Sequence, residues 1–97
     1  MKTTKMEAYQ NQAREMLDAW NADISRLQAR AFLLEADARI DAVRRLAELE
    51  SLYNTAFQQY VAMQVNVNGR LEDLKGAFEQ AASPLREAID QIDREVA

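Results

Sequence analysis

The acidic side chains are the residues of this sequence that offer the most chemistry, and they include three close pairs. The pairs are Glu48 with Glu50, Glu72 with Asp73, and Asp90 with Asp93. Helical bundles can hold metal ions between such carboxylates, usually together with histidine. The sequence contains no histidine and no cysteine, which removes the commonest metal ligand, the commonest general base and any thiol nucleophile. We therefore predict no metal, no cofactor and no catalytic residue.

A solvated helix face is the interpretation that we prefer for these charges. Acid-before-base pairs four residues apart stabilise such a face by a few tenths of a kcal/mol each. They occur as Glu35 with Arg39, Asp41 with Arg45, and Asp90 with Arg94. The densest basic cluster, Arg39 with Arg44 and Arg45, is interleaved with acids, so we predict no nucleic-acid partner.

A row of apolar side chains at three- and four-residue steps determines where these charges must lie. Its members are Met6, Tyr9, Ala13, Met16, Trp20, Ile24, Leu27, Ala31, Leu34, Ala38, Ala42, Leu46, Leu49, Tyr53, Ala56, Tyr60, Met63 and Val67. This spacing is typical of one face of an α-helix. Thr3 or Thr4 can cap the start of the helix, so we predict one long helix over about residues 4–65.

A joint and a shorter helix are predicted to follow. Asparagines, β-branched residues and the turn dipeptide Asn68-Gly69 place the joint at about residues 66–70. A second apolar stripe predicts a helix over about 71–96, with a kink or restart near Pro84. The predicted fold class is all-α, one helical domain over residues 1–97, either a helical hairpin or a straight coiled coil that continues through Gly69.

The lengths of the two helices predict an exposed apolar surface. A second helix of about 25 residues spans roughly 40 Å and covers only part of a first helix of roughly 90 Å. Residues of the first half of the long helix then stay uncovered, namely Trp20, Ile24, Leu27 and Leu34. A second stripe runs beside them, consisting of Phe32, Ala36, Ile40, Val43 and Ala47. We predict a homo-oligomeric bundle, a dimer or a tetramer, and an unidentified protein partner for its outer surface.

The segment Ser51–Gly69 is the least ordinary part of the chain, because it contains no charged residue but several aromatic and amide side chains. Such a composition is typical of the core of a protein interface, and a locally buried hairpin end accounts for it equally well. The predicted oligomer interface consists of Trp20, Ile24, Leu27, Leu34, Leu46, Leu49, Tyr53, Phe57, Tyr60 and Met63.

Two segments of the sequence also resemble the pattern of a known protein family. The first reads Leu-Asp-Ala-Trp-Asn-Ala-Asp-Ile over residues 17–24, and the second reads Leu-Glu-Asp-Leu-Lys-Gly-Ala-Phe over residues 71–78. They resemble small bacterial coiled-coil proteins of about this length, some of which are labelled stress-response proteins after a cyanobacterial relative. The resemblance implies a cytoplasmic, non-enzymatic role linked to stress, and it transfers no active site.

Composition and charge help to distinguish between the two candidate functions that remain, an interaction protein and a peripheral coat. The 97-residue chain has 48% hydrophobic residues and a net charge of −4, and no segment has the length and apolarity of a membrane span. We predict a cytoplasmic structural or interaction protein that assembles with itself. The alternative is a peripheral amphipathic coat on lipid or on a hydrophobic granule, although its polar face lacks the basic bias of most such helices.

Overall fold

The computed structural model describes residues 4–65 and 69–96, and within these ranges the chain forms three α-helices. Helix α1 spans Lys5–Ala31, α2 spans Ala36–Val65 and α3 spans Leu71–Val96. Each helix packs against the other two in a rod with extents of 52 × 22 × 18 Å. The predicted all-α fold class is confirmed.

The segment between α1 and α2 corrects the prediction of one long helix over residues 4–65, which is wrong. The chain leaves the helix after Ala31, where the N–H of Leu33 donates to the carbonyl of Arg30 at 3.0 Å and that of Leu34 to Ala31 at 3.2 Å. These i to i+3 bonds tighten the last turn and satisfy the final carbonyls of α1. Because the chain turns here, α1 lies beside α2 instead of continuing it.

The other helix ends follow local signals. Thr4 caps α1, since its Oγ1 accepts a hydrogen bond from the N–H of Glu7 at 3.1 Å. α2 ends at Val65 and α3 begins at Leu71, and the long-range contacts between α2 and α3 show that the chain folds back. Of the predicted joint at 66–70, residues 66–68 lie outside the described residues.

The core lies along the axis of the rod, where the apolar stripes of the helices meet. Its buried members are Tyr9, Ala13, Leu17, Ile24, Leu27, Ala31, Ala42, Leu46, Leu49, Ala56, Tyr60, Met63, Phe78, Ala82, Leu85, Ile89 and Ile92. Within the described residues no polar or charged side chain is buried among them. The charged residues therefore lie on the outside of the rod, as an amphipathic pattern requires.

Pro84 lies inside α3, which stays helical through this position instead of restarting. A proline within a helix donates no hydrogen bond and costs about 3 kcal/mol relative to alanine, of which about 1 kcal/mol is offset by its restriction of the unfolded chain. Because Pro84 is exposed, we expect Pro84→Ala to raise the free energy of unfolding by about 2 kcal/mol. Urea denaturation, monitored by far-UV circular dichroism, measures this change in the free energy of unfolding.

Gly76→Ala is the matched control in the same helix. A Cβ at Gly76 meets nothing within 4 Å, so the change should add only the helix propensity of alanine, about 0.5–1 kcal/mol. If Pro84→Ala lowers stability while Gly76→Ala raises it, the proline at this position is required for the packing of its neighbours Ala82 and Leu85.

Candidate interaction surface

The residues predicted to form an oligomer interface lie mostly inside the single chain. Six of them are buried in the intramolecular core, namely Ile24, Leu27, Leu46, Leu49, Tyr60 and Met63. Trp20, Leu34 and Tyr53 are partly buried against that core, and Phe57 is 44% exposed. The expectation that Trp20, Ile24, Leu27 and Leu34 stay uncovered is wrong, because the turn after α1 brings α2 and α3 over this stripe.

A second row of side chains on α2, six of them apolar and three polar, stays in contact with solvent, and we call it the outer face of α2. It consists of Ala36, Ile40, Val43, Ala47, Glu50, Asn54, Phe57, Val61 and Gln64. Ile40 is 56% exposed, Val43 53% and Val61 38%. α2 is therefore apolar on two sides, one in the core and one outside, and its first half is the second stripe seen in the sequence.

The outer face borders α1 along a shallow groove. Near the turn, this groove has a volume of about 260 Å³, and its apolar lining includes Phe32, Val43 and Ala47. Phe32 and its neighbour Leu33 are 74% and 87% exposed. Large side chains in the α1–α2 turn thus extend the exposed apolar surface beyond the first residue of α2.

The middle of the outer face is polar. Glu50 accepts a hydrogen bond from Nε2 of Gln28 across the groove at 2.7 Å. Asn54 lies one turn further along and lines the groove with Asn21 and Ser25. These groups are neutral or acidic, so the middle of the surface offers hydrogen bonds rather than a site for an anion.

Aromatic rings border the second half of the outer face. Phe57 lies between Tyr53 and Tyr60, with ring centroids 6.2 and 6.0 Å away. Burial raises the pKa of the Tyr53 hydroxyl above its ordinary value, and the nearby carboxylate of Asp18 raises it further. The hydroxyl therefore stays protonated at neutral pH and remains a hydrogen-bond donor beside this surface.

A second aromatic cluster attaches α3 to α1. Phe78 meets Tyr9 edge to face at 6.2 Å and stacks against Trp20 at 6.5 Å. The Tyr9 hydroxyl donates to Oε1 of Glu79 at 3.4 Å, and burial, with help from that carboxylate, raises the pKa of Tyr9 to about 12. Trp20 is thus engaged with the core, which accounts for its place on the apolar stripe without a bound ligand.

The charged side chains form ion pairs between helices. Asp93 accepts from Arg26 at 2.9 Å and from Arg30 at 3.4 Å, and Arg45 pairs with Glu95. Because all these side chains are more than 40% exposed, water screens the pairs and each adds little to the stability of the bundle. Across residues 4–65 and 69–96, no group of three or more acidic side chains is arranged to hold a metal ion.

Comparison of the chain with protein-family models, with curated proteins and with solved structures finds no match. In the part of the chain that the structure describes, none of the helices has the length and apolarity to cross a bilayer. The fold and its surface define the chain as an all-α bundle with an exposed apolar row on its central helix.

Proposed function

We propose that this chain is a non-enzymatic interaction protein that assembles with itself, as a dimer or tetramer, through the outer face of α2. The observation that carries the proposal is the set of exposed apolar side chains at the two ends of the outer face, Ile40 and Val43 at one end and Phe57 and Val61 at the other, together with Phe32 and Leu33. α2 is about 45 Å long at 1.5 Å per residue, and exposed apolar patches at both ends of such a face, separated by polar residues, usually mark an association surface. A cytoplasmic location and a stress-related role belong to the same proposal and rest on sequence resemblance alone.

Light scattering over a dilution series tests the assembly. We expect the mass to exceed that of the 11.1 kDa monomer, and we expect Val43→Lys to weaken self-association at least tenfold. The variant loses buried valine surface and places an ammonium group in the apolar row of both copies, and each loss of about 1.4 kcal/mol is tenfold in affinity.

Thr55→Lys is the matched control, because it also replaces an exposed β-branched residue of α2 but lies away from the outer face. It should assemble as the unchanged protein does. A mass of 11.1 kDa at every concentration would contradict self-assembly. Flotation of that monomer with lipid vesicles would then favour the peripheral coat.

A further inference from the structure

We infer that the occupant of the outer face is the α2 helix of a second copy, antiparallel, with Val43 opposite the partner's Val61. This inference rests on the proposed self-assembly and adds its orientation and register. It also identifies Glu50 and Asn54 as the residues that determine both.

The spacing of the outer face is that of a coiled coil. From Ala36 to Gln64 the steps alternate between four and three residues, so eight steps cover 28 residues with a mean of 3.5. This is the heptad period with which two helices keep one seam in contact. The core row of the same helix, from Ala42 to Met63, has the same alternation and packs against helices of its own chain. The outer face therefore has the spacing of a row that another helix covers.

The polar centre of the row argues against a parallel pair. In a parallel, in-register pair, Glu50 faces the partner's Glu50, which places two carboxylates together in the seam, and like charges in contact are destabilising. In the antiparallel pair, Glu50 faces the partner's Asn54. An amide donates two hydrogen bonds and a carboxylate accepts several, so Glu50 can keep its bond from Gln28 and accept another.

The same register also matches the sizes of the apolar residues. Ala47 faces the partner's Phe57, so a small side chain leaves room for a ring, and Val43 faces a valine of equal volume. A shift by one heptad would place Glu50 opposite either an alanine or a valine, which leaves the carboxylate without a donor in an apolar seam. In the alignment described here, Glu50 faces Asn54, the apolar positions 43, 47, 57 and 61 face one another, and Ile40 lies opposite the partner's Gln64.

The distribution of charge is compatible with this orientation. Acidic and basic side chains occur in the first half of α2 up to Glu50, whereas residues 51–65 carry no charge. An antiparallel pair places the charged half of each helix beside the uncharged half of the other. No like charges are then brought together outside the polar centre.

Cysteine cross-linking tests the register directly, because the sequence contains no cysteine of its own. We expect an oxidised mixture of Val43→Cys and Val61→Cys to form a disulfide-linked heterodimer, and we expect each variant alone to give little cross-linked product. A disulfide requires Cβ atoms about 3.5–4.5 Å apart, a distance that facing seam positions can approach. Thr55→Cys, mixed with either variant, is the control for random collision.

Each other outcome has a distinct meaning. Disulfide-linked homodimers of Val43→Cys and of Val61→Cys, without a heterodimer in their mixture, would show a parallel pair and overturn the inference. A dimer by light scattering without any of these cross-links would show that another surface is used and would also overturn it. A monomer by light scattering would instead contradict the proposed self-assembly itself.

Discussion

Phe78→Ala is expected to lower the free energy of unfolding by about 3–5 kcal/mol, the range for removing a buried aromatic side chain. Phe78 is fully buried and lies between Tyr9 and Trp20, so its loss leaves a cavity where α3 packs on α1. Small domains have total stabilities of about 5–15 kcal/mol, so this change removes a large share. Urea denaturation followed by the fluorescence of Trp20, the single tryptophan of the chain, measures it.

Phe57→Ala is the matched control, because it removes the same ring from a position that is 44% exposed. At protein concentrations too low for assembly, we expect it to lower the stability of the single chain by less than about 1.5 kcal/mol, since less apolar surface is lost from the folded state. Equal losses for the two variants would contradict the packing of α3 described here.

Leu27→Asp is expected to unfold the chain at every protein concentration. Leu27 is 0% exposed in the core of the bundle, and an unpaired carboxylate there combines the loss of leucine packing with the cost of desolvating a charge. Together these amount to more than about 4 kcal/mol. Far-UV circular dichroism over a dilution series should show low helicity throughout.

Val43→Asp is the matched control for this second prediction, since it places the same charge in an apolar row that is exposed in the single chain. It should retain its helicity and lose only self-association. If Leu27→Asp instead kept its helicity and changed only its mass, Leu27 would face another chain, as the long-helix interpretation of the sequence required.

The features that could be predicted from the sequence are those that depend on neighbouring residues. The helical class follows from the apolar period, the start of α1 from the Thr4 cap, and the end of α2 from the weak helix formers after Val65. The presence of a second apolar stripe on the long segment was also visible. Each of these depends on contacts or conformational preferences within a few residues.

The turn at residues 32–35 was not predictable in the same way, because it contains neither glycine nor proline and its residues are compatible with helix. Its position depends on the apolar surface that the two halves of the segment bury against each other and against α3. This one turn moved most of the predicted interface residues into the core, and the outer face of α2 took their place as the candidate surface.

The sequence by itself therefore determined that this protein is helical, where its local caps and breaks lie, and that it has more apolar surface than a two-helix seam covers. Only the tertiary structure decided which of the two apolar rows of α2 is buried. The physical reason is that both rows have suitable spacing and composition, and burial is assigned by the helices that pack against one side. The other row, Ala36 to Gln64, stays exposed in the single chain and is the surface through which we propose self-assembly.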